Sequence, residues 1–198
     1  MRLIGLTGGI ASGKSFVAEL LKKLGAAVVD ADVVYHELLA QEELREKISQ
    51  EFGADFFLPD GSLDRKKLGK LVFADKGALS RLNAITHPAV RAELFARLRA
   101  FSERQPQPLV AVVVVPLLYE VGWDEHVEAV VVVSVDEKTQ VDRLMKRNGW
   151  SRDEAVARIA SQMPLAEKVK RADYVVDNSG QREKTEELIK EVYEKLTA

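Results

Sequence analysis

The stretch that decides the fold reads GGIASGKS, from Gly8 to Ser15, and it matches the pattern G-x-x-x-x-G-K-S/T. Glycines in such a loop let backbone N–H groups curl around phosphate oxygens, and the helix that follows directs its positive end at the same anion. The Lys14 side chain can reach the β- and γ-phosphates of a nucleotide, and the Ser15 hydroxyl can bind Mg²⁺. We therefore predict a P-loop that binds a nucleoside triphosphate together with Mg²⁺.

The surroundings of this loop favour a P-loop over a chance glycine-rich turn. An apolar segment at residues 2–6 predicts a strand before the loop, and residues 14–24 predict an amphipathic helix after it, which Gly25 ends. Strand, loop and helix in this order are the context in which the motif binds phosphate. The predicted nucleotide-binding residues are Gly8, Gly9, Ala11, Ser12, Gly13, Lys14, Ser15 and Phe16, with Ser15 as the metal ligand.

Valine-rich apolar runs predict the remaining strands. Continuous runs of this kind are typical of strands that are covered on both faces, as in a parallel sheet. The predicted strands lie at residues 2–6, 26–29, 109–115, 129–135 and 174–176. Because helical segments separate them, we predict an α/β fold of the P-loop kinase type: a parallel sheet flanked by helices, with a helical substrate-binding insertion and a helical lid.

The lengths of the connecting segments predict how the chain divides. Residues 32–105 are too long for a single crossover helix, so we predict a helical insertion that binds the acceptor. Within it, Pro88 fits the first turn of a long helix. Residues 140–168 form a second helical excursion, the predicted lid. The predicted nucleotide-binding core comprises residues 1–31, 106–139 and 169–198.

Composition and charge exclude several other classes of protein. The 198 residues carry a net charge of −2. Because positive charge is not in excess, we predict no nucleic-acid partner. There is no cysteine, which excludes disulfides and thiolate metal sites. The longest apolar stretch, Leu109–Leu118, is far shorter than the roughly 20 residues of a membrane span. We predict a cytoplasmic protein that is a monomer or a weak oligomer.

Two classes of P-loop protein compete for this pattern, a small-molecule kinase and a GTPase-type switch. A switch needs an acidic residue after the third strand and an Asn-Lys-x-Asp segment that reads the base. The third strand runs instead into Pro116-Leu117-Leu118-Tyr119, and no Asn-Lys-x-Asp occurs. A mechanical ATPase would also need an acid there. The helical insertion therefore favours a kinase, and a non-enzymatic nucleotide-sensing module stays a further alternative.

Charged residues near the predicted sheet edge are candidates for catalysis. Asp30 and Asp32 follow the second strand, where open parallel sheets bind ligands, and a carboxylate there can accept the proton of an attacking hydroxyl. Either aspartate can instead cap the next helix. Arg143 and Arg147 lie one helical turn apart, so their guanidinium groups can clamp a transferring phosphoryl group or form a solvated basic face.

With these residues assembled, the chain resembles the dephospho-CoA kinase family. The matching segments appear in family order over nearly the whole chain: GLTGGIASGKS at 5–15, DAD at 30–32, ITHPAVR at 85–91, VPLLYE at 115–120 and RLMKRNGWSRDEAVARIASQMPLAEKVKRADYVVDNSG at 143–180. Phe16 stands where the family commonly has Thr, and Tyr119 where Phe is common. Neither departure removes a group that the chemistry needs.

This resemblance implies transfer of the ATP γ-phosphoryl group to the ribose 3′-hydroxyl of dephospho-CoA, a small-molecule substrate. It implies that Asp32 is the general base and that Lys14 and the lid arginines surround the phosphates. The residues implied at the acceptor are His87, Arg91, Leu117, Leu118 and Tyr119, and Asn178 is implied near the base of ATP. His87 can instead cap a helix that starts at Pro88. A nucleoside or nucleotide kinase of similar architecture stays the alternative.

Overall fold

The computed structural model describes all 198 residues, and a five-stranded parallel sheet lies at its centre. The strands are β1 (Arg2–Gly8), β2 (Ala27–Asp30), β3 (Val110–Val114), β4 (Ala129–Ser134) and β5 (Tyr174–Asp177), in the order β2-β3-β1-β4-β5 across the sheet. Leu6 pairs with Val114 on one side and with Val131 on the other. The predicted parallel sheet is confirmed, and the carboxyl ends of its central strands meet at one edge.

Nine α-helices connect and flank these strands. They are α1 (Lys14–Lys23), α2 (Ala31–Leu38), α3 (Glu42–Phe52), α4 (Arg65–Ala74), α5 (Lys76–Ser102), α6 (Glu137–Asn148), α7 (Arg152–Ala160), α8 (Leu165–Arg171) and α9 (Arg182–Thr197). Short 3₁₀ turns occupy Ala54–Phe56 and Trp123–His126. No helix combines the length and the apolar character that crossing a membrane requires.

The chain separates into two compact units. The first contains Met1–Asp30 and Ala100–Ala198 and holds the whole sheet, whereas the second, Ala31–Arg99, is helical. The lid that the sequence predicts at residues 140–168 lies within the first unit, and its role as a lid stays a prediction.

The core of the first unit explains the valine-rich strands. Alternate strand residues such as Ile4 and Leu6 are fully buried beneath α1 and α9, which contribute Leu21 and Ile189 to the same cluster. The intervening residues of β3 and β4, among them Val113, are buried as well. Both faces of the sheet are therefore covered, which is the condition under which parallel strands lose the alternation of apolar and polar residues.

Helices α6 and α7 form a second, smaller core in the first unit. Gly149, with a φ of 69°, ends α6, and the capping box predicted by the pattern Ser-x-x-Glu starts α7: Ser151 Oγ accepts from Glu154 N, and the Glu154 carboxylate accepts from Ser151 N. Val141, Leu144 and Ala155 are buried between the two helices. The P-loop residues Ile10 and Ala11 pack against this cluster.

The second unit corrects one prediction about helix ends. Helix α5 does not begin at Pro88 but runs through it from Lys76 to Ser102, so His87 lies in a helix interior and caps no helix start. Proline lacks the N–H that would bond to the preceding turn. The helix continues because both sides of the interruption are packed, with Leu82 upstream and Leu94 downstream buried.

Candidate active site

The P-loop connects the end of β1 at Gly8 with the start of α1 at Lys14. Gly13, with a φ of 94°, occupies the left-handed region that glycine tolerates, directly before the first turn of α1. Ala11 also has a positive φ, 59°, and is the one residue other than glycine that does so in the chain. An L-residue in this region costs about 1–2 kcal/mol, so the surrounding contacts must hold the loop in shape.

Lys14 lies folded over the loop. Its ammonium donates to the backbone oxygen of Gly8 at 3.1 Å and to that of Gly9 at 2.9 Å. A phosphate oxygen carries more charge than a carbonyl and makes a stronger hydrogen bond with an ammonium group. The side chain is therefore held at the mouth of the loop, in reach of a phosphate.

Ser15 and Phe16 occupy the first turn of α1. Ser15 is exposed, so its hydroxyl is accessible to a metal ion that also contacts phosphate oxygens. The chain contains no cluster of three or more His, Asp or Glu side chains that could hold a metal by itself. This donor set fits Mg²⁺, which commonly binds through one or two protein oxygens, substrate phosphates and water. The Arg182 guanidinium lies over the Phe16 ring, 4.6 Å from its centre.

The back of the P-loop is held by Arg143 and Asn178. Arg143 donates to the carbonyl of Asn178 at 2.9 Å and approaches those of Ala11 and Ser12 at 3.5 Å. The Asn178 amide donates to Ser12 O at 2.8 Å and its oxygen accepts from Thr185 at 3.2 Å. A methyl group at Gly13 would lie 2.1 Å from the Asn178 nitrogen. Asn178 therefore contacts the loop backbone directly.

Arg147 differs from Arg143 although both belong to α6. Its side chain is exposed and its Nε donates to the neighbouring Asn148 at 2.9 Å. The structure thus brings only Arg143 of this pair against the P-loop.

Sequence reasoning missed two further residues at the loop, Gln140 and Gln162. The Gln140 amide donates to Ile10 O at 2.7 Å, and the Gln162 oxygen accepts from Ile10 N at 3.0 Å. A buried glutamine on α6 and a half-buried one beyond α7 are separated from Ile10 by more than a hundred residues, and no local pattern indicates such a contact.

The segment after β3 holds three of the five residues predicted at the acceptor. Leu118 is fully buried against Gly5, Leu117 is 39% exposed, and Tyr119 is buried. Burial raises the pKa of the Tyr119 hydroxyl, which has no hydrogen-bond partner, and the Arg171 guanidinium lies 4.2 Å from the ring centre. Of the three, Leu117 presents the most accessible surface.

A buried ion pair joins this segment to α8. Lys168 is fully buried, and its ammonium contacts the Glu120 carboxylate at 2.9 Å and donates to Pro116 O at 2.9 Å. Glu120 also accepts from Met163 N at 3.0 Å. The start of α8 is thereby fixed to the segment that follows β3.

The two aspartates fall on either side of the end of β2. Asp30 is the last residue of β2 and pairs with Val114, at the carboxyl edge of the sheet. Asp32 is exposed in the first turn of α2. In this turn the helix dipole favours a negative charge. The catalytic role of either carboxylate stays a prediction.

His87 and Arg91 lie four residues apart on α5, so they share one face of that helix. Both side chains are exposed, and partial desolvation lowers the pKa of the His87 imidazole. The Arg91 guanidinium lies 5.8 Å from the centre of the Phe95 ring. The pair offers a hydrogen-bonding ring and a permanent positive charge to a ligand.

The parallel sheet, its strand order and the glycine loop between β1 and α1 define a P-loop kinase fold. The family model described as Dephospho-CoA kinase matches residues 2–184. The chain belongs to the dephospho-CoA kinase family.

Individual relatives agree with this assignment. The chain is 53% identical over 186 residues to a dephospho-CoA kinase of Symbiobacterium thermophilum, covering 93% of this chain and 77% of the relative. It is 47% identical over 196 residues to that of Geobacter sulfurreducens, covering 98% of both chains. A crystal structure from Thermus thermophilus superposes with a TM-score of 0.85 at 38% identity, covering 100% of this chain and 98% of the other.

Proposed function

We propose that the chain transfers the γ-phosphoryl group of ATP to the ribose 3′-hydroxyl of dephospho-CoA, giving coenzyme A and ADP. The observation that carries this proposal is the P-loop, with Lys14 at its mouth and Arg143 against its backbone, in a chain of the dephospho-CoA kinase family. The two curated relatives, matched over 77% and 98% of their own length, bear the name of this activity.

Phosphate binding starts with the P-loop. An incoming triphosphate offers Lys14 charged oxygens in place of the neutral carbonyls of Gly8 and Gly9, so its ammonium turns to the β- and γ-phosphates. Phe16, next to the loop, flanks the bound nucleotide. Bound Mg²⁺, with Ser15 as its protein ligand, supplies positive charge that offsets the charge of the phosphates.

Phosphoryl transfer then depends on position and charge. Asp32 orients the 3′-hydroxyl of the acceptor and takes its proton, and Asp30 is the alternative base at the edge of the sheet. Arg143 and Arg147 contribute charge to the transferring group once residues 140–168 close over it, which excludes water that would hydrolyse ATP. The contact of Arg143 with the loop supports a larger role for it than for Arg147.

The acceptor requires groups of a different kind. His87 and Arg91 supply a hydrogen-bonding ring and a fixed charge suited to phosphate or ribose oxygens of dephospho-CoA. Leu117, with Leu118 and Tyr119 behind it, supplies an apolar wall. Asn178 acts on the ATP side, through Ser12 and the shape of the loop. The cytoplasmic location and the monomeric or weakly oligomeric state stay predictions.

A transfer assay with a panel of acceptors tests this function. The purified chain receives ATP and Mg²⁺ with dephospho-CoA, adenosine, nucleoside monophosphates or water alone, and ADP formation is followed. We expect dephospho-CoA to have by far the highest kcat/KM. A preference for a monophosphate would assign the chain to the nucleotide kinases, and turnover with water alone would remove the acceptor assignment altogether.

A further inference from the structure

Two glutamines bind the backbone of one P-loop residue, Ile10, at its N–H and at its carbonyl. Gln140 Nε2 donates to Ile10 O at 2.7 Å, and Gln162 Oε1 accepts from Ile10 N at 3.0 Å. The orientation of each amide is fixed by its partner, because a backbone N–H can only donate and a carbonyl can only accept. Ile10 thus satisfies both of its backbone groups with side chains from outside the loop.

The position of this contact in the loop is significant. Ile10 directly precedes Ala11, whose φ of 59° is unfavourable for any residue with a Cβ atom. Conformations of this kind persist only where the surrounding structure over-determines them. The two hydrogen bonds to Ile10, together with the packing of Ile10 and Ala11 against Leu144 and its neighbours, provide that constraint.

Gly9 gives an independent sign that the contact shapes the loop. Its φ lies outside the left-handed region, so its backbone conformation does not require glycine. A methyl group at this position would instead lie 2.5 Å from Gln140 Nε2. A side chain at position 9 would therefore displace the Gln140 amide from its present place against the loop.

Both glutamines lie in segments that make further contacts within the first unit. Gln140 is buried on α6, in the turn that the Asp136 cap begins. Gln162 lies between α7 and α8, and the next backbone N–H, that of Met163, donates to Glu120. Glu120 is in turn paired with the fully buried Lys168. The two amides are therefore held in position by contacts other than those with the loop.

We propose that Gln140 and Gln162 are positioning residues, which hold the P-loop in its phosphate-binding shape through Ile10 without contacting the nucleotide. This inference rests on the proposed function only in so far as the P-loop binds ATP or ADP. Loss of either hydrogen bond lowers the population of the binding-competent loop, and the apparent affinity for nucleotide falls by the same factor.

Matched substitutions test the two hydrogen bonds separately. In Gln162→Glu a carboxylate oxygen still accepts from Ile10 N, whereas in Gln140→Glu the donor is lost and a carboxylate faces a carbonyl. Both variants add one negative charge next to Ile10, so the difference between them reflects the lost hydrogen bond together with the deeper burial of position 140, and the neutral variants below separate the two. We expect Gln140→Glu to bind Mg²⁺-ADP at least about fivefold more weakly than Gln162→Glu in titration calorimetry, the equivalent of one hydrogen bond.

Neutral substitutions and a rescue complete the experiment. Gln140→Met and Gln162→Met should each weaken ADP binding about fivefold. Adding Ala11→Gly to either should recover part of the affinity, because glycine adopts the positive φ without help. Thermal unfolding of each variant separates this effect from lost stability: a merely structural role would lower Tm, leave the Kd of the folded protein unchanged and allow no rescue.

The outcomes distinguish this inference from the proposed function. ADP binding needs no acceptor, so a wrong acceptor assignment would leave the expected pattern intact. If Gln140→Met and Gln162→Met both bind ADP within twofold of the original chain, the positioning role is refuted. If either variant does not fold, the affinity of the other decides the question.

Discussion

The buried ion pair between Lys168 and Glu120 allows a sharp prediction about stability. Replacing Lys168 by Met keeps most of the side-chain volume but removes the positive charge, so the Glu120 carboxylate loses its 2.9 Å contact. The chain provides a matched control on the same helix. Lys170 pairs with Glu167 at 2.8 Å, but its side chain is 70% exposed, whereas that of Lys168 is fully buried.

Burial sets the expected difference in magnitude. Breaking a buried pair by removing one partner costs about 3–5 kcal/mol, because the remaining charge is uncompensated. The Glu120 side chain is 22% exposed and keeps the Met163 N–H, so we expect the lower end, about 3 kcal/mol, for Lys168→Met. Solvent screens the charges of an exposed pair, so Lys170→Met should be nearly neutral.

Thermal and urea unfolding measure both variants. At about 2–4 °C per kcal/mol for a chain of this size, Lys168→Met should lower Tm by about 6–12 °C, and Lys170→Met should change Tm far less. The double variant Lys168→Met, Glu120→Gln should recover part of the loss, because no buried charge is left unpaired. Equal effects of the two single substitutions would show that burial of the pair does not determine its contribution, and would refute this reasoning.

Three further predictions concern activity. Lys14→Ala should abolish most phosphoryl transfer in a protein whose Tm is unchanged, and near-normal turnover would place the active site elsewhere. Arg143→Ala and Arg147→Ala should both lower kcat more than they weaken ATP binding, with the larger loss for Arg143, which contacts the loop. An unchanged kcat in both variants would show that the two arginines form only a solvated basic face. Asp32→Asn should lower kcat by roughly 10²-fold at similar ATP affinity, and full turnover in Asp32→Asn with loss in Asp30→Asn would identify Asp30 as the base.

The parts of the fold that the sequence predicted are those with local signals. The loop motif and the valine-rich strands each depend on residues close together in the chain, and the structure confirms the loop between β1 and α1 and the strands. The predicted start of the helix at Pro88 was wrong, because proline is a local signal for the first turn of a helix. The helix continues through Pro88 because residues on both sides of it are buried, and that burial depends on the tertiary structure.

The site shows the same limit. The motif predicted which residues form the loop, but not the residues behind it, since Gln140 and Gln162 become its neighbours only after the sheet is assembled. Spacing on α6 treated Arg143 and Arg147 as equivalent, although only Arg143 contacts the loop. Helical periodicity predicts that Arg143 and Arg147 lie on the same face of α6. Which of them contacts the P-loop depends on how far along that face the loop lies.

The hydrogen bonds around the P-loop connect the stability of the protein with its affinity for nucleotide. Pro116 O accepts from the Thr7 hydroxyl, at the end of β1, and from Lys168, which is paired with Glu120. Glu120 fixes the backbone next to Gln162, whose amide returns to the loop. A change at Lys168 therefore acts on the loop through Gln162, although it lies outside the motif. Lys168→Met should weaken ADP binding, and its effect should not add fully to that of Gln162→Met in the double variant, because both substitutions disturb the same hydrogen bond to the loop. Full additivity would refute this route.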